Sequence, residues 1–226
     1  MKLVVISAGL SVPSSTRLLG DRLAAQAAGR TSADVTVVEL RDLAVEIAHN
    51  FTNRFPGRAL GAAFDAAVAA DGVIVVTPVF SASYSGLFKS FFDALSVHNE
   101  GALAGKPVLI AATGGTARHS LVLDHALRPL FAYLKAVVVP TGVYAASEDW
   151  GAEGLDGRIE RAAGELAALM TGSSTVRKPA GESPDLVPFE EQLAALNPRD
   201  RSARSTSGRG AVPPSSAPQA HGRRIR

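Results

Sequence analysis

Short runs rich in valine and isoleucine recur along the chain at 3–6, 35–40, 73–77, 107–112 and 136–139. They lack the regular polar alternation of a half-exposed strand, so each predicts a strand buried on both faces. Longer stretches separate them, at 15–28, 58–70, 86–95, 120–134 and 155–170, where small and apolar residues return at helical spacing. In the first of these, Leu18, Leu19, Leu23 and Ala27 fall on one face. Five strand–helix units predict an α/β domain whose parallel sheet is covered by helices on both sides. Ligands of such sheets bind in crevices at the carboxyl ends of the strands. The loops that follow the strands are therefore where chemistry is expected.

The pattern stops after Thr171. Residues 172–185 and 197–226 are dominated by Ser, Pro, Gly, Ala and Arg. Such segments bury too little apolar area to offset the entropy of ordering, which predicts a domain at 1–171 and a largely disordered tail at 172–226. One apolar island at 186–196 predicts a short amphipathic helix over 188–196. It reads either as a docking segment for a second subunit or partner, or as a segment that packs on its own domain.

The formal net charge of +2 owes much to the tail, where Arg199, Arg201, Arg204, Arg209, Arg223, Arg224 and Arg226 face only Asp200. The body is near neutral and offers no electrostatic case for nucleic acid. There is no cysteine, which excludes disulfides, a thiolate nucleophile and cysteine-ligated metal. His49, His98, His119 and His221 show no metal-ligand spacing and no carboxylate partner legible in sequence, so neither a metal site nor a catalytic side chain is assigned. The first residues are too few in apolar character for a signal segment, and no run approaches ~20 apolar residues. A cytoplasmic protein without a membrane span is expected.

Three loops carry candidate chemistry. The first, 7–17, follows the first strand and opens the first helix. A helix start offers unpaired N–H groups and the positive end of a dipole, which suit a phosphate. Ser11, Ser14, Ser15, Thr16 and Arg17 add donors there. The loop has neither the Gly-x-Gly-x-x-Gly fingerprint nor a Walker lysine, so one monophosphate fits better than a pyrophosphate. The plainer reading of Ser14, Ser15 and Thr16 is helix capping. The second loop, 77–89, carries Pro78 and the flat rings of Phe80 and Tyr84, a surface suited to a planar heteroaromatic ring. Phe88, Phe91 and Phe92 read as core or interface. The third loop is Thr113-Gly114-Gly115-Thr116, whose glycines let backbone approach a ligand closely.

The pattern Thr77-Pro78-Val79-Phe80-x3-Tyr84-Ser85-Gly86-x2-Lys89, then Ala112 to Thr116, then Asp124-His125-Ala126-Leu127-Arg128-Pro129, resembles the NAD(P)H-dependent FMN reductases. It is most similar to the reductase components of two-component alkanesulfonate and luciferase-like monooxygenase systems. The resemblance covers about 2–171. It implies a flavodoxin-like three-layer α/β/α fold with a five-stranded parallel sheet in the order 2-1-3-4-5. It further implies hydride transfer from NADPH or NADH to FMN, with reduced FMN passing to a partner monooxygenase. Ser7, Ser15, Thr16 and Arg17 would hold the FMN phosphate. Pro78, Val79 and Phe80 would line the ribityl chain and ring. Thr113, Gly114, Gly115 and Thr116 would meet the ring edge, and Ser85 and Gly86 would border the site. Two departures stand out: Ser7-Ala8-Gly9 replaces the usual Gly-Ser opening, and Phe80 stands where relatives often have tyrosine.

Pro129 interrupts the fourth helical stretch, since it has no N–H to give and its ring crowds the preceding turn. Apolar spacing continues through Leu123, Ala126, Leu127 and Leu130, which favours a local π-bulge over termination. In the reductases this resembles, a π-helical insertion lies here, at a subunit interface of a homodimer or homotetramer near the flavin. His125 occupies that place, and the resemblance gives it a role in the interface and in flavin exchange; a packing histidine is the alternative. Two other enzyme or carrier readings stay open: a quinone or azo reductase with tightly held FMN, and a flavodoxin-type electron carrier. A flavin-binding module without turnover is a third.

Overall fold

The computed structural model describes residues 1–152 and 154–172. The expected tail beyond residue 172 and its helix at 188–196 lie outside the described residues. In chain order the elements are β1 (Lys2–Ser7), α1 (Ser15–Thr31), β2 (Asp34–Glu39), α2 (Ala44–Asn53), α3 (Arg58–Ala69), β3 (Gly72–Phe80), β4 (Ser83–Tyr84), α4 (Gly86–His98), β5 (Pro107–Gly114), α5 (Arg128–Tyr133), β6 (Val137–Val138), β7 (Val143–Ala146) and α6 (Leu155–Met170).

The valine-rich runs pair as parallel neighbours in the order β2-β1-β3-β5-β6, with β7 also beside β5. Register starts at Lys2 opposite Asp34, Leu3 opposite Gly72, and Val73 opposite Val108. Side chains alternate across the sheet. Val4, Ile6, Val73, Val75, Val108 and Ile110 face the core under α2 to α5, where Phe64, Phe88, Phe91, Phe92 and Phe131 are buried. Leu3, Val5, Ile74, Val76, Leu109 and Ala111 face the core under α1 and α6. The flavodoxin-like fold and the expected order are present.

Seven strands replace the expected five, for two physical reasons. β4 is a short antiparallel return onto the end of β3. The fifth strand is broken into β6 and β7, because Pro140 has no N–H to continue a ladder. Side chains stitch the break. Arg128 donates to the Val139 and Pro140 carbonyls at 3.2 and 3.0 Å, and Glu165 accepts from the Thr141 N–H and hydroxyl at 2.7 and 2.8 Å.

Helices depart from the sequence reading in three places. A 3-10 turn at Leu40–Leu43 takes Leu40 out of the expected strand and leads directly into α2, a helix the pattern did not predict. In α1 the buried face is Thr16, Leu19, Gly20, Leu23, Ala24 and Ala27, while Leu18 is exposed. Gly20 brings α1 close to the sheet, since a Cβ there would lie 2.9 Å from Val5 Cγ1. The stretch 120–134 is a π-helical segment, Leu123–Leu127, running into α5. The Arg128 N–H donates back to the Leu123 carbonyl. Pro129 then falls in the first turn of α5, where its missing N–H costs little. Among the described residues no helix is long and apolar enough to cross a membrane.

Candidate functional site

The loops after β1, β3 and β5 meet at the carboxyl edge of the sheet. They enclose a cleft of ≈ 460 Å³ lined by Leu10, Ser11, Ser15, Thr16, Pro78, Val79, Phe80, Thr113, Gly114, Gly115, Ser147 and Trp150. A larger depression of ≈ 590 Å³ lies at the other end of the sheet, between the ends of α4 and α5. None of the three loops reaches it.

The first loop is fixed by its own polar groups. Ser14 caps α1, its Oγ accepting from the Arg17 N–H at 3.2 Å. That leaves Ser15 exposed at the helix start, on the cleft wall. Thr16 is buried and shares a 2.8 Å hydroxyl–hydroxyl bond with Thr113, which ties the first loop to the third. Ser7 is buried, with its Oγ 3.5 Å from the Gly9 N–H, and it is not part of the cleft wall. Arg17 also stands off the wall. Its guanidinium is held by Asp21 and Glu39, and these partners keep it protonated beyond its ordinary value, the bond to Asp21 contributing most.

The second loop is a tight hairpin. Val79 pairs with Tyr84 and Phe80 with Ser83, so Ser81 and Ala82 form the turn at φ of 48° and 63°. Both are left-handed, as a two-residue hairpin turn demands, yet neither is glycine or asparagine. Phe80, next to the turn, stands at the lip, 49% exposed. Thr77 Oγ1 accepts from the Ser85 N–H at 3.1 Å, and Ser85 in turn caps α4 through the Phe88 N–H at 3.2 Å. Ser85 and Gly86 border the loop without lining the cleft.

In the third loop the two glycines differ. A Cβ on Gly114 would lie 2.1 Å from the Tyr144 hydroxyl, whereas a Cβ on Gly115 would meet nothing within 4 Å. The Tyr144 hydroxyl donates to the Thr116 carbonyl at 2.7 Å and so pins the loop from beneath. Burial, then the charges of Asp149 and Glu148, hold that phenol above its ordinary pKa, so it remains a donor. Thr116 lies beyond the cleft wall.

Ser147 and Trp150, from the loop after β7, are wall residues that the sequence reading missed. The signal available was weak: a Ser-Glu-Asp-Trp run between the fifth strand and the last helix. His125 is exposed on the π-helical segment and is not a wall residue.

A helix start with free hydroxyls, an apolar lip and an open glycine backbone form a site for a planar ring on a phosphate-bearing arm. FMN fits this donor set: N–H and hydroxyl donors at Ser15 for the phosphate, apolar Pro78, Val79 and Phe80 for the ring, and clear space at Gly115. Fold and site together define a flavodoxin-like flavin-binding protein.

Residues 1–151 match the family described as NADPH-dependent FMN reductase. The chain is 40% identical over 182 residues to an FMN reductase (NADPH) of Pseudomonas aeruginosa, covering 78% of this chain and 96% of that protein. It is 39% identical over 178 residues to the NADH-dependent FMN reductase SfnF of Pseudomonas fluorescens, covering 76% and 93%. The structure of an oxidoreductase from Corynebacterium diphtheriae superposes with a TM-score of 0.73 at 49% identity, covering 76% of this chain and 98% of that one. This chain belongs to the NADPH-dependent FMN reductase family. Its activity is NAD(P)H-dependent reduction of FMN.

Proposed function

We propose that FMN binds in the cleft at the carboxyl edge as an exchangeable substrate, and that the reduced flavin leaves for a flavin-dependent monooxygenase. One observation carries this reading: among the described residues, none that lines the cleft is charged. A phosphate held only by N–H and hydroxyl donors lacks the charge-assisted bonds that make such contacts strong. Arg17, the cation of the first loop, is already committed to Asp21 and Glu39, and Arg41, which donates to the carbonyl of the lining residue Ser11 at 3.1 Å, is paired with Glu39 and Asp42. Such a site favours release over retention.

FMN supplies a ring that accepts hydride from a nicotinamide, and the protein supplies binding and orientation. Ser15 and the first turn of α1 hold the phosphate. Thr16, bonded to Thr113, keeps that turn in register with the ring-edge loop. Pro78, Val79 and Phe80 orient the ring and exclude water from one side. Gly114, Gly115 and Thr116 present backbone to its polar edge, the loop being pinned by Tyr144. Ser7, Ser85 and Gly86 act through the loops they brace. No side chain is needed as acid or base.

The protein works as a cytoplasmic homo-oligomer. Exposed side chains support self-association: His125 on the π-helical segment, Leu121 just before it and Tyr133 of α5. The domain is 1–171, and the residues after it are not required for the chemistry.

Steady-state oxidation of NADH and NADPH with added FMN, FAD or riboflavin tests the reading. FMN-dependent oxidation is expected, from a protein that loses its flavin on desalting. Failure to oxidise either nicotinamide with any flavin would refute it. A protein that stays yellow through desalting would refute the release step.

A further inference from the structure

The loop after β7 brings the chain's single tryptophan to the cleft wall, beside Ser147. Trp150 packs against the core under α1 and α6, whereas Val79 of the hairpin packs against the opposite core. The cleft is therefore walled from both faces of the sheet: by Val79 on one, and by Trp150 on the other. The α1 start, with Ser15 and Thr16, lies on the Trp150 side.

The tryptophan is not placed by packing alone. Asp149 folds the preceding turn back on itself. One carboxylate oxygen accepts from the Ala146 N–H at 2.8 Å, and the other accepts from Arg158 Nη2 at 3.0 Å. Gly151 and Gly154, at φ of 90° and 114°, then let the chain swing away into α6. A partly buried indole, next to a braced turn and on the lip of a cleft whose described lining is uncharged, leaves apolar surface that a ligand would cover.

We infer that Trp150 is a flavin-binding residue, the wall that holds FMN from the α1 and α6 side, and that Asp149 is its positioning residue. This rests on FMN occupying the cleft. The indole borders the cleft on the same face of the sheet as the α1 start, where it serves binding and not the transfer of hydride. A contact of that kind is made equally in the ground and transition states, so its loss raises KM and leaves kcat unchanged.

The test uses the full chain with Trp150→Ala, Trp150→Phe and Asp149→Asn, reading the FMN dissociation constant by equilibrium dialysis beside kcat and KM. Trp150→Ala is expected to weaken FMN binding about 10-fold, the scale of one lost aromatic contact, with kcat at saturating FMN within about twofold. Trp150→Phe should recover most of the affinity. Asp149→Asn should weaken binding by a smaller factor, since the indole remains but is less well held. Melting curves establish that each variant is folded. A folded Trp150→Ala protein that binds FMN as the wild type does would overturn the inference. So would a fall in kcat with KM unchanged. A wild-type chain that does not bind FMN at all would instead remove the FMN reading beneath it.

Discussion

Gly114 and Gly115 are neighbours with different reasons for being glycine. The first makes room for the Tyr144 hydroxyl, and the second leaves the cleft open. Gly114→Ala is expected to destabilise the fold by about 2 kcal/mol, because its Cβ meets a hydroxyl fixed beneath the loop. Tyr144→Phe removes that hydroxyl and should cost about 1 kcal/mol for the lost bond to Thr116. The double variant should cost less than the two together, since Tyr144→Phe removes the hydroxyl that a Cβ at position 114 would meet. Denaturant unfolding of the three proteins checks this, and strict additivity would contradict it. Gly115→Ala should leave stability within ~0.5 kcal/mol and raise KM for FMN instead. The paired glycines were legible in sequence as a close-approach motif. Their separate duties were not, because Tyr144 lies about thirty residues away along the chain, in roughly the sense that any tertiary neighbour does.

The turn between β7 and α6 shows the same division among elements. Burial works to raise the Asp149 carboxyl, but the Ala146 N–H and the bond and charge of Arg158 outweigh it and hold the group below its ordinary value. A carboxyl whose folded pKa is lowered contributes stability above its unfolded pKa, near ~4, and loses it as pH falls through the lowered folded value. At neutral pH, Asp149→Asn should therefore be less stable than wild type by about 1 kcal/mol, the scale of one such bond. The gap should narrow as pH falls through the acid range. Unfolding midpoints measured across pH check this, and a gap that widens in acid would contradict it. Regular elements of the sheet were legible because burial on both faces writes itself as unbroken valine and isoleucine. The pattern missed α2, which begins without a loop after β2. It also missed β4, too short to have a period, and the second half of the fifth strand, set apart by Pro140. The π-helical segment was foreshadowed by Pro129, a residue whose backbone chemistry is local. Trp150 was not, since nothing local marks a loop that borders a cleft.

At the scale of the whole molecule, the described domain closes on itself at α6. Leu155, Ile159, Ala162, Ala163, Leu166 and Met170 are buried against α1 and the sheet, and a Cβ at Gly72 would lie 2.5 Å from the Met170 sulfur. The Corynebacterium diphtheriae oxidoreductase is covered to 98% of its length by 76% of this chain, so a full relative's fold fits within that share. Both observations fit the proposed domain at 1–171. A chain ending at Gly172 is expected to bind and reduce FMN with kcat and KM within about twofold of the full chain, because every cleft residue and both cores are retained. A chain ending at Gly154 should not fold. It forfeits the burial of α6, at roughly 1.5–3 kcal/mol for each large side chain, which together approach the ~5–15 kcal/mol that holds a domain of this size. Circular dichroism separates the two truncations, and steady-state assay with FMN follows the one that folds. A chain ending at Gly172 that folds but has lost its affinity for FMN would place residues beyond 172 in the working site and overturn the assignment of the domain.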